Sequence, residues 1–136
     1  MKKRRILWIS VVAALVVLLA AGGYFLLRPR PLFDAEHDKL ELAWVKSGDH
    51  QEEYTDRIDE QALTELLSQA EVSLMLDNPF PYAADQVAFE IYYHCNNKPL
   101  FLLLGEINIA YESSDKPVYR IQNPGALLEA VERMLS

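Results

Sequence analysis

Cysteine is nearly absent: Cys95 is the single one in 136 residues, which excludes an intrachain disulfide framework. Histidine is scarce as well, and none of His37, His50 and His94 stands at metal-ligand spacing from another. Positive charge is sparse beyond Arg30. Residues 31–136 hold 7 basic side chains against 20 acidic ones, a net of −13, so an obvious nucleic-acid binder is excluded. No internal repeat or low-complexity tract occurs, and no Gly-x-Ser-x-Gly nucleophile elbow is present. The most informative absence is local: residues 6–27 contain no charge at all.

Those 22 residues read ILWISVVAALVVLLAAGGYFLL, with 19 apolar side chains. As a helix they reach about 33 Å, enough for a hydrocarbon core of roughly 30 Å. A helix satisfies its own backbone polar groups there. Trp8 and Tyr24 fall near its two ends, where interfacial aromatics belong. Lys2, Lys3, Arg4 and Arg5 precede the run and Arg28 and Arg30 follow it, a bias that predicts a cytoplasmic basic tail at residues 1–5 and an outer C-terminal part. A cleaved signal peptide is the rival reading, with Ala20 and Gly22 at a cleavage site. Tyr24 to Leu27 prolong the apolar run past that point, so the expectation is an uncleaved, single-pass anchor in the lipid bilayer.

Arg28-Pro29-Arg30-Pro31 is expected to be extended, because proline fixes its own φ and biases its predecessor out of the helical region. Residues 28–37 therefore form a stem, and residues 38–136 one extracytoplasmic domain. Lys39 to Val45 alternates as a strand with Leu40, Leu42 and Trp44 on one face, and residues 51–55 read as a polar return strand. Asp59 caps a helix over 60–70, with Ile58 and Leu63 at staple spacing. Residues 72–76 are a short strand or an extended segment. Val87, Phe89, Ile91, Tyr93 and Cys95 share one strand face, and residues 100–104, apolar on both faces, mark a central strand. Strands follow at 107–111 and 118–121, and Asn123-Pro124 opens a closing helix as cap and first position. The order reads β-β-α-β-β-β-β-α. The fold class is α+β: a transmembrane helix, then a mainly antiparallel sheet with two packed helices.

Candidate chemistry is thin. Asp34, Glu36 and Asp38 alternate like the start of a calcium loop, but Lys39 and Val45 occupy the places of its Gly and bidentate Glu. Ser47, Asp49 and His50 supply the residue types of a nucleophile system within one turn, where turn chemistry already explains them. His94 and Cys95 are strand neighbours and point to opposite faces, so Cys95 reads as a small buried hydrophobe. The loop Asn78-Pro79-Phe80-Pro81-Tyr82 offers two aromatics on a stiff backbone. Phe80 and Tyr82 are the candidate partner contacts, and the alternative is that they fold back over the sheet end.

The basic start, single span, Pro stem, Thr55-Asp56-Arg57-Ile58-Asp59 before a Leu-paired helix, and Asp77-Asn78-Pro79 together resemble small anchored proteins of Gram-positive bacteria of no assigned activity. That resemblance, of layout over residues 38–136, implies an extracytoplasmic α+β domain and carries over no catalytic residue. The expected function is a tethered binding or regulatory domain for an envelope protein or peptide, not an enzyme, with no cofactor and no metal. A hydrolase-like or metal-dependent envelope enzyme and a structural subunit assembled through its anchor helix are the alternatives.

Overall fold

A computed structural model describes residues 2–136. Its first helix, α1 (Lys2–Leu27), is long and apolar enough to cross a membrane, and its large apolar side chains stand exposed. The rest is α+β, as the alternation of apolar residues predicts. Seven strands form one antiparallel sheet: β1 (Arg30–Pro31), β2 (Leu40–Ser47), β3 (Glu71–Leu74), β4 (Val87–Cys95), β5 (Lys98–Gly105), β6 (Ile109–Tyr111) and β7 (Val118–Ile121). Their spatial order is β1-β3-β7-β6-β5-β4-β2. Two helices complete it, α2 (Glu60–Ser68) and α3 (Pro124–Leu135). Five strands follow α2, one more than the expected order, because Glu71–Leu74 pairs with β7 as a full member of the sheet.

The stem is part of the sheet. Arg30 lies opposite Val72 and Pro31 opposite Glu71, and the Leu32 amide donates to the Ala70 carbonyl at 3.0 Å. A proline fits there because β1 is an edge strand, with no further ladder to feed. From this edge the chain crosses to β2 at the opposite edge, and on the way Phe33 is buried 6.0 Å from the Tyr93 ring. Residues of the expected stem thus contribute β1 to the sheet and Phe33 to its core.

One face of the sheet carries the main core. Val45, Ile91, Leu102 and Leu104 meet Leu63 and Leu67 of α2 and Leu127 and Val131 of α3. Asp59 caps α2 as expected, accepting from the Gln61 amide at 3.0 Å and the Ala62 amide at 3.4 Å. Ile58 and Leu63 are both buried beside it. Asn123 and Pro124 are the cap and first position of α3, as expected. Asn123 makes no side-chain cap bond and instead adopts φ 50°, a left-handed conformation that asparagine tolerates better than most residues.

Residues 51–55 are not a return strand. A single bridge, Lys46 to Glu53, precedes a 3-10 turn over Thr55–Arg57. Side chains take the place of a ladder: the Val45 amide donates to Thr55 Oγ1 at 3.0 Å and the Leu42 amide to Glu60 Oε1 at 2.9 Å. The outer edge of β2 is therefore satisfied without another strand, which blunts edge-to-edge pairing. Gly48 closes this edge, since a Cβ there would lie 1.8 Å from the Val87 carbonyl oxygen.

Tyr93 shows how tightly the helices seal this face. Burial pushes its hydroxyl up to about 12, while its hydrogen bond with Thr64, 3.0 Å long, acts in the opposite direction. An unfolded tyrosine ionises near 10, so between about pH 10 and 12 the folded state holds a proton that the unfolded state has lost. Stability is full below about pH 10 and falls above it, by roughly 1.4 kcal/mol per pH unit from this group. Denaturant melts at about pH 9 and about pH 11 should show that loss, and Tyr93→Phe should make it shallower.

Candidate functional site

Two bulges decide which side chains reach the uncovered face. In β2, Leu42 lies opposite Tyr93, but Trp44 lies opposite Tyr92, with a register shift between them. Ala43 is the extra residue, and it reverses the alternation. Trp44 therefore leaves the face expected for it, shared with Leu40 and Leu42, and Val45 enters the core in its place. In β4, Val87 faces Gly105 and Phe89 faces Leu104 across a second shift. Val87 accordingly departs from the expected Phe89, Ile91, Tyr93 face. It joins a smaller apolar cluster on the opposite side, with Leu103, Ile109 and Val118.

The consequence is a continuous aromatic row across four strands. Trp44 of β2 lies 5.5 Å from Tyr92 of β4, and Tyr92 stacks on Phe101 of β5 at 4.5 Å and 13°. Phe101 stacks on Tyr111 of β6 at 5.3 Å. Phe80 meets Tyr111 at 4.9 Å, and Tyr82 lies 5.8 Å from Phe80, so the proline loop prolongs the row. Each ring is half-buried. The rings stand side by side along the face. Such pairs contribute about 0.5–1.5 kcal/mol each beyond area burial, which restrains the rings against one another.

Polar groups border the row at the Trp44 end. His50 lies 5.7 Å from the Trp44 ring, and Lys46 Nζ stands 4.6 Å over it. Glu90 is the one buried charged residue among the described residues, and His50 Nε2 is its ion-pair partner. His50 reaches it from a left-handed backbone position, φ 61°. His94 stands edge-on to Tyr92 at 4.8 Å. Burial raises the Tyr111 hydroxyl above the ordinary tyrosine range, and the neighbouring Tyr82 hydroxyl raises it further.

Phe80 and Tyr82, the candidates read from the sequence, pack against the Val87, Leu103, Ile109 and Val118 cluster and line up with the row. The other candidates stay apart. Asp34 pairs with His37 at 2.6 Å and accepts from the Glu36 amide, and these contacts, His37 foremost, hold its carboxyl below the usual range. Ser47 Oγ donates to Asp49 at 2.6 Å, while His50 turns to Glu90, so base and hydroxyl belong to separate pairs. Cys95 is half-buried on the helix-covered face, with burial and then the Asp38 charge raising its thiol. Trp44, Tyr92, Phe101 and Tyr111 were not among the residues singled out. The available signal is an aromatic on the uncovered face of each of four neighbouring strands, β2, β4, β5 and β6, masked at Trp44 by the bulge.

Removing Phe80 and Tyr82 together should lower stability by about 3–5 kcal/mol, half the cost of two fully buried rings. A thermal melt of the double alanine variant measures it. Cys95 should react with a disulfide reagent well below the rate of a free thiol, because its raised pKa leaves less thiolate. Unfolding in denaturant should restore the full rate.

No protein-family profile matches this chain, nor does any curated protein or solved structure.

Proposed function

We propose that this protein is a single-pass, membrane-anchored binding module with its N-terminus in the cytoplasm and its sheet domain outside. The domain holds an envelope protein or peptide on the open face of the sheet and performs no catalysis. The aromatic row through Trp44, Tyr92, Phe101 and Tyr111 carries this reading. Tyrosine, tryptophan and phenylalanine are enriched where proteins meet, and rings locked on a sheet lose little freedom on binding. The net −13 of residues 31–136 favours encounter with partners of positive charge. Supporting the anchor are the uncharged run of residues 6–27 and the basic residues before it.

Replacing Tyr92 and Phe101 by alanine tests the reading. The variant loses ring packing on the face away from the main core, so a thermal melt first establishes the temperature at which it is folded. Its capture of the partner that co-purifies with wild type from native membranes should fall at least about tenfold, equivalent to about 1.4 kcal/mol. Undiminished capture by a folded variant would refute the face as the contact. A reporter active only outside the cytoplasm, fused after Ser136, should be active; a silent reporter would refute the orientation.

A further inference from the structure

We infer that the groove at the span-side end of the sheet binds one anionic phospholipid of the membrane in which α1 sits, an inference resting on the anchoring part of the proposed function. The groove has a volume of about 450 Å³, inside the roughly 300–1,000 Å³ range of small-molecule sites. Its apolar lining comes from Leu32, Val72, Leu100 and Tyr119. Arg30, Lys98 and Lys116 bring three cations to it, against a single lining carboxylate, Glu112, which Lys116 engages at 3.0 Å. Asp38 stands behind the wall residue Asn96, accepting from its side-chain amide at 3.0 Å. The lining therefore carries net positive charge in a domain that is otherwise strongly acidic. Lys98 has no ion-pair partner among the described residues.

Place determines the ligand. Arg30 is three residues beyond Leu27, the end of α1. An extended chain covers at most about 3.6 Å per residue, so Arg30 lies within about 11 Å of the helix end. The headgroup layer on each side of a bilayer is about 5–8 Å thick. The chain length thus keeps the Arg30 side of the groove near the lipid phosphates, with cations for the phosphate and an apolar lining for the upper part of an acyl chain. Leu76 strengthens the placement. It is 79% exposed, the one large apolar side chain outside α1 so open among the described residues, and it shares a hollow with Lys116.

Native mass spectrometry of the full chain tests this, using detergent micelles containing equal phosphatidylglycerol and phosphatidylcholine. The wild type should retain one phosphatidylglycerol in at least about tenfold preference. Lys98→Glu with Lys116→Glu should abolish the preference, Lys98→Arg with Lys116→Arg should keep it, and Arg57→Glu, away from the groove, should leave it unchanged. A thermal melt of each variant checks folding. Equal retention of the two lipids, or a preference surviving the glutamate pair, would overturn the inference. A carbonate wash of native membranes separates the two failures. A chain that stays in the membrane without a lipid preference refutes the groove alone, and a chain that washes off refutes the anchor and the groove together.

Discussion

A seven-stranded sheet is about 29 Å wide at roughly 4.8 Å between strands, and a helix with its side chains covers about 10 Å of that width. This chain provides two helices for the sheet, α2 of 9 residues and α3 of 12. Together they cannot span even one face. The shortfall on the first face is met by the strap that leaves β1, which buries Phe33 against Tyr93. Nothing comparable remains for the second face. There the chain has the loop holding Phe80 and Tyr82, which covers one corner, and beyond it the side chains of the strands themselves. Aromatic rings standing against one another are how those strands cover their own surface.

The same arithmetic makes the stem structural. A free spacer would leave Phe33 outside and open a gap over Tyr93, so the covered face requires the chain to join the sheet at Arg30. Only Arg28 and Pro29 separate α1 from β1. The helix and the sheet edge are accordingly coupled by a short, stiff joint, and the sheet is held close to whatever surrounds α1. The short joint at Arg28 and Pro29, the packing of the first face and the exposure of the second are all tied to one deficit of helical cover.

Much of the fold was legible because its signals are local. The Asp59 cap, the Ile58 and Leu63 staple and the alternation from Phe89 to Cys95 each depend on a few neighbouring residues. What escaped depends on pairing across strands. The extra residues Ala43 and Ala88 leave the composition of their strands unchanged while reversing which face the next side chain takes. Reading Trp44 with Leu40 and Leu42 hid the first member of the row, and reading Val87 with Phe89 hid the second cluster. The pairing of Arg30-Pro31 with β3 joins residues some forty apart. Residues 51–55 alternate weakly, yet Thr55 and Glu60 side chains answer the β2 amides first. Phe80 and Tyr82 were recognisable as aromatics on a stiff loop, but their place at the end of a row was not, because the other members come from four separate strands.

The proposed function requires the uncovered face to be open in the isolated protein and occupied in native membranes. Carbene footprinting of the full chain, purified and in native membranes, addresses both halves in one experiment. The account predicts labelling of Trp44, Tyr92 and Phe101 in purified protein and protection of the same three residues in the membrane, with Tyr93 unlabelled in both. Equal labelling in the two preparations would contradict a bound partner on this face, and rings unlabelled in purified protein would contradict the open face itself.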